Sequence, residues 1–179
     1  MVLLLVDPST APHDFSFERF RRHVTARLDL MPMLRRRLVE PPLAIDHPCW
    51  VEDASFDIEN HLRVHRLDGD GSADALAAFV GECAAVQLDR TRPLWEMVMV
   101  EGIDDGTVAI VMKMHHCIVD GVSGIDILAV LLDLSPEPED RDAGTWEPEP
   151  LPTAPGVIAA ATWGRLTTPL RPLRAAMGV

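Results

Sequence analysis

Met112-Lys113-Met114-His115-His116-Cys117-Ile118-Val119-Asp120-Gly121 closes an apolar alternating run and opens a long apolar stretch of helical character. The order predicts a strand that turns through a short corner into a helix. The corner carries two adjacent histidines, an aspartate four residues after the second, and a glycine directly after that. Histidine is the side chain best suited to move a proton near neutral pH. The corner is therefore the candidate chemical centre.

Outward from it, Thr107–Met114 reads as a strand joined to the preceding one, which runs to Val100, by the hairpin signal Asp104-Asp105-Gly106. Both strands are apolar on both faces, which predicts a central, covered position. Gly121–Leu134 reads as a helix with apolar residues nearly all round, hence deeply buried. Toward the N-terminus, Val2–Val6 reads as a buried strand ending at Asp7-Pro8. Asp14 is the expected cap of a helix over Ser16–Leu30, with Phe17, Phe20, Val24 and Leu28 near one face. Trp50–Glu52 and His61–Leu67 read as short strands, and Ala73–Leu88 as a helix burying Leu76, Phe79, Val80, Cys83 and Leu88. The run Arg35-Arg36-Arg37 is read as a solvated face in preference to an anion site.

Composition narrows the function classes. With 47% apolar residues, 179 residues suffice for one substantial domain. A formal charge of -12 opposes nucleic acid, whose binding needs a basic patch. The three cysteines (Cys49, Cys83, Cys117) lack CxxC spacing and fit reduced thiols in a cytoplasmic setting. No apolar run approaches the roughly 20 residues of a spanning helix. After residues 1–134 the character changes. Ser135–Pro150 has four prolines, six acidic residues and one basic residue, so residues 135–155 read as an exposed linker. Residues 156–179 read as the start of an incomplete second domain, ahead of a basic amphipathic segment touching a membrane.

Along a strand, neighbouring side chains point to opposite faces. If the strand continued through the pair, His115 and His116 would not share one pocket. That opposes a metal site built from both, and only Asp120 is near enough to serve as a third ligand. A satisfied core histidine is the bland alternative, and the His-x-x-x-Asp-Gly spacing leaves the two readings about even.

His115-His116-Cys117-Ile118-Val119-Asp120-Gly121 resembles the HHxxxDG motif of the bacterial wax ester synthase/diacylglycerol acyltransferase family. Three other stretches resemble that family in its order: Arg27-Leu28 through Pro32–Leu38, Phe56–Leu62, and Pro93-Leu94-Trp95-Glu96, which resembles its PLW motif. The resemblance covers most of the chain to about Leu134. HxxxDG alone would be shared with the wider coenzyme A-dependent acyltransferase superfamily.

The resemblance implies an α+β fold, a mixed sheet covered by helices, like one N-terminal half of a chloramphenicol acetyltransferase-like enzyme. It implies transfer of a fatty acyl group from acyl-CoA, as co-substrate and with no other cofactor, to the hydroxyl of diacylglycerol or a long-chain alcohol. His116 would be the general base and His115 an accessory residue. Asp120 would hold the corner's shape through an arginine, and Gly121 would permit the turn. Pro93, Leu94 and Trp95 would line or support an acyl channel, with plain core packing an equal alternative. Cys117 is expected to be a small buried residue, not a nucleophile. The family's second half, with its Asn-Asp motif, is expected on a separate chain or absent, leaving this chain with little activity alone. Peripheral contact with a membrane or lipid body fits the products. The competing readings are a non-catalytic half-protein that binds lipid or a partner, and, third, a metal-dependent hydrolase.

Overall fold

The hairpin predicted beside the histidines is the centre of the fold. β5 (Trp95–Glu101) and β6 (Val108–Met114) pair antiparallel, Trp95 opposite Met114 and Val100 opposite Ala109. Gly106 takes a φ of +79° in the turn between them, a conformation that L side chains rarely adopt. The structure, a computed structural model, describes residues 1–11, 13–40, 47–119, 123–132, 141–142 and 144–149. The remaining elements are β1 (Val2–Val6), α1 (Phe17–Arg27), β2 (Arg36–Val39), β3 (Cys49–Glu52), β4 (Leu62–Arg66), α2 (Ala73–Ala85) and α3 (Ser123–Leu131).

The four-stranded sheet has the order β1-β6-β5-β4, with β1 antiparallel to β6 and β4 parallel to β5. A parallel pair needs a crossover, and α2 supplies it. β2 and β3 form a separate antiparallel pair. Alternation divides β5 and β6 between two cores. Met97, Met99, Ile110 and Met112 face α1 and α3, meeting Val24, Leu28, Ile127 and Leu131. Val98, Val100, Ala109 and Val111 face α2, meeting Leu76, Phe79 and Cys83. Each large side chain buried this way contributes about 1.5–3 kcal/mol. The histidine corner thus leaves the end of a strand packed on both faces, as its apolar pattern predicted.

Several local expectations need correction. β1 is an edge strand, not a buried one; Leu5 is 63% exposed, and among the described residues only β6 pairs with the strand. Ser16, not Asp14, caps α1, its Oγ accepting the Arg19 N–H at 3.3 Å. The helix then tightens into a 3-10 turn over Leu28–Leu30. α2 stops at Ala85, three residues before Leu88, where Val86 turns to extended backbone. α3 is not buried all round, since Ala129 and Leu132 are exposed; only one side of this outer helix meets the sheet. Of the helix predicted over Gly121–Leu134, residues 121, 122, 133 and 134 lie outside the described residues.

The three arginines are neither an anion site nor a solvated face. Arg35 is buried and ion-paired with Asp29 at 2.5 Å. Arg37 lies 3.6 Å from Asp53 and Arg36 4.0 Å from Glu52. The predicted linker is described only at residues 141–142 and 144–149, and residues 156–179 lie outside the described residues. Segment 144–149 is anchored at two points. The half-buried Trp146 ring sits 4.9 Å from the Arg35 guanidinium carbon, and the Glu149 amide donates to Glu52 Oε2 at 2.9 Å. Among the described residues, no helix is long and apolar enough to cross a membrane.

Candidate active site

β6 ends at Met114, so strand alternation does not reach the histidines. The His115 amide donates to the Leu94 carbonyl at 3.0 Å, and the Ile118 amide closes a turn on the His115 carbonyl at 3.0 Å. In that turn the two imidazoles stack, with ring centres 4.7 Å apart and planes 23° from parallel. Both rings line the same groove, which corrects the expectation that only one would do so.

Their roles nevertheless differ. The Cys117 amide donates to His115 Nδ1 at 3.2 Å. An N–H needs a lone pair to accept it, so neutral His115 carries its proton on Nε2. His115 is half-buried, whereas His116 is exposed to the groove. Cys117 is exposed instead of buried, and desolvation pushes its thiol pKa up, which keeps it in the weakly nucleophilic protonated form. Asp120 and Gly121 lie outside the described residues.

The groove has a volume of about 430 Å³. Val86, Leu88, Leu94 and Met114 give it an apolar surface; Gln87, Arg90 and Lys113 add polar groups. Of the three residues expected along a channel, Leu94 borders the groove, while Pro93 and Trp95 are buried away from it. Trp95 is held by the core. Its Nε1 donates to the Leu34 carbonyl at 2.7 Å, and its ring stacks on His61 with centres 4.5 Å apart. His61 in turn donates from Nδ1 to the Trp95 carbonyl at 2.8 Å, and burial pulls its pKa down.

Lys113 and Arg90 were not singled out from the sequence. Lys113 is the charged residue in the otherwise apolar run Val108–Met114, and that interruption was its signal. Arg90 gave none beyond its position before Pro93-Leu94-Trp95. Among the described residues, no group of three or more His, Cys, Asp or Glu side chains is placed to hold a metal ion. The arrangement suits proton transfer at an apolar groove: an exposed imidazole, backed by a second ring of fixed tautomer, at the end of a rigid hairpin.

The family model described as the wax ester synthase/diacylglycerol acyltransferase catalytic domain matches residues 1–178. A putative diacylglycerol O-acyltransferase of Mycobacterium tuberculosis (strain H37Rv) is 40% identical over 149 residues, covering 83% of this chain and 32% of that protein. A probable diacylglycerol O-acyltransferase of the same strain is 32% identical over 160 residues, covering 89% of this chain and 59% of that one. The chain thus spans about a third of the first relative's length and less than two thirds of the second's. Among solved structures, the wax ester synthase/diacylglycerol acyltransferase from Marinobacter aquaeolei VT8 superposes with a TM-score of 0.61 at 29% identity, covering 88% of this chain and 39% of that one. The first condensation domain of the CDA synthetase, at 17% identity and a TM-score of 0.53, covers 72% of this chain and 32% of its own; it shares the fold alone. The fold is the mixed α+β, chloramphenicol acetyltransferase-like arrangement.

Proposed function

The chain belongs to the wax ester synthase/diacylglycerol acyltransferase family, and from that membership we propose that it carries the catalytic base of an O-acyltransferase. The acyl donor is acyl-CoA and the acceptor the hydroxyl of diacylglycerol, with a long-chain alcohol as the close variant. One observation supports His116 in particular. Both stacked imidazoles border the groove, but His116 is the more exposed of the two, while His115 Nδ1 is engaged by the Cys117 amide.

In this mechanism His116 takes the acceptor's proton as the hydroxyl oxygen attacks the thioester carbonyl. The carbon–sulfur bond then breaks, and the imidazolium returns the proton to the departing thiolate. No covalent enzyme intermediate is needed. A positioned base contributes roughly 10²–10⁴-fold in rate. His115 supports the His116 ring by stacking. Asp120 is assigned the structural role of holding the corner through an arginine, and Gly121 the turn into the helix. Leu94 and Met114 lie against the acyl donor.

Among the described residues nothing covers the groove beside His116, so they leave a bound thioester poorly enclosed, and we assign the chain low turnover. The test is labelled acyl-CoA with dispersed diacylglycerol and the purified chain. Slow triacylglycerol formation that disappears in His116→Ala, with an unchanged circular dichroism spectrum, is the expected result. Product formation undiminished in the variant would remove His116 as the base, and fast turnover would remove the assignment of low activity. The exposed apolar edge at Leu3 and Leu5 favours a second reading, a non-catalytic protein that binds lipid or a partner. It predicts acyl-CoA binding with no transfer at any enzyme concentration.

A further inference from the structure

Resting on the acyl-donor reading above, we propose that the Arg90 guanidinium binds the amide carbonyls of a pantetheine thioester lying in the groove. Arg90 borders the groove that holds both histidines, and it is exposed.

Among the described residues, Arg90 is the cation of the groove wall left for a ligand. Lys113 is fully used: its Nζ donates to the Cys83 carbonyl at 2.9 Å, to the Val86 carbonyl, and to Glu96 Oε1 at 3.0 Å. An ammonium has three donors, so none remains. The carboxylate next to Arg90 is also used. Asp89 Oδ1 accepts from the Thr91 amide at 2.9 Å and the Thr91 hydroxyl at 2.7 Å, while its Oδ2 lies 3.5 Å from Arg92 Nε. Among the described residues Arg90 makes no ion pair.

The rest of the wall is mainly apolar, through Val86, Leu88, Leu94 and Met114. A thioester placed with its carbonyl at His116 sends its pantetheine arm along that surface. The arm's two amides then need polar partners, because an amide desolvated without one is costly. A guanidinium offers a planar fork of donors suited to carbonyl oxygens. The phosphates of coenzyme A lie beyond the far end of the arm, whereas the amides lie close to the sulfur. An arginine in the wall of the groove that holds both histidines is placed for the amides. The same chemistry serves a pantetheine arm borne by coenzyme A or by a carrier protein.

The test compares octanoyl-CoA, octanoyl-pantetheine and an octanoyl thioester of ethanethiol, which lacks the amides, by equilibrium binding to the whole chain and to Arg90→Ala. The expected result is about tenfold weaker binding of both pantetheine thioesters, as for a hydrogen bond to a charged group, with the amide-free thioester unaffected. Arg90→Lys is expected to restore part of the loss. Thermal unfolding should be unchanged, since among the described residues the side chain has no ion-pair partner to lose. Weakening confined to octanoyl-CoA would move the contact to the phosphates and overturn the proposal. Equal weakening of all three, no weakening, or no binding by the unsubstituted chain would overturn it as well. The acyltransferase reading fails separately, when the thioesters bind as described but no acyl group reaches an acceptor.

Discussion

Lys113 and Glu96 face one another across β6 and β5, with Nζ 3.0 Å from Oε1. Both lie on the α2 side of the sheet, and the same ammonium takes up the Cys83 and Val86 carbonyls at the helix's end. A cation there complements the negative end of the helix. The contact also fixes the start of the loop that carries Val86, Leu88 and Arg90, so one lysine joins the groove's wall to the strand that delivers His116.

Lys113→Met should therefore destabilise the chain by about 1–3 kcal/mol, because it leaves two carbonyls and a half-buried carboxylate without their donor. Glu96→Gln keeps an acceptor and should cost less than about 1 kcal/mol. Urea unfolding of both variants checks this. Equal losses would mean that the ion pair, not the helix end, is the important contact.

Trp95 is 1% exposed and its indole N–H is committed to the Leu34 carbonyl. Replacing it by Phe keeps an aromatic ring but orphans that carbonyl, at a cost of about 1–3 kcal/mol. The preference among acyl chain lengths should not change, since the ring does not reach the groove. A shift in chain-length preference without loss of stability would place Trp95 in the channel after all.

His61 gives the fold a pH dependence with a definite sign. Burial between Phe56 and Trp95 depresses its folded-state pKa, so the unfolded chain binds the extra proton more readily. Stability must then fall as pH drops below the unfolded value, about 6.5, and recover above it. The carboxylates with lowered pKa, such as Asp89 and Asp105, act at lower pH and leave that window to histidines. His61→Asn retains a donor near the Trp95 carbonyl but does not titrate. Its melting temperature should decline less than that of the unsubstituted chain between about pH 7 and 5.5; parallel curves would count against His61 as the source.

Much of this arrangement was legible in the sequence because it is periodic. The double alternation of β5 and β6, the Asp-Asp-Gly turn and the spacing of Phe17, Phe20, Val24 and Leu28 each depend on neighbours in the chain. What escaped reading depends on distant partners. Val2–Val6 has the composition of a covered strand, but covering it requires neighbours on both sides, and among the described residues only β6 is one. Strand alternation would have separated His115 from His116 had β6 not ended one residue earlier. The arginine run looks solvated until Asp29, Glu52 and Asp53 fold beside it. In the candidate site, the motif marked the imidazoles, but the positions of Lys113 and Arg90 against the groove follow from where α2 stops.

Trp146 shows the same dependence in a segment whose composition marks it as a linker. Its indole covers the buried Arg35 guanidinium and meets Phe56 edge-on, with ring centres 6.1 Å apart. A cation over an indole is worth about 0.5–2 kcal/mol, more where water is excluded. Arg35 keeps Asp29 in any case, so Trp146→Ala should cost the folded core little. It should instead release segment 144–149, whose Glu149 amide is otherwise held by Glu52. Hydrogen exchange read by mass spectrometry should then be about tenfold faster across that segment, with the β5–β6 hairpin unchanged. Unaltered exchange at 144–149 would show that Glu52 holds the segment without the indole. Faster exchange in the hairpin as well would show that Arg35 needs Trp146 to remain buried.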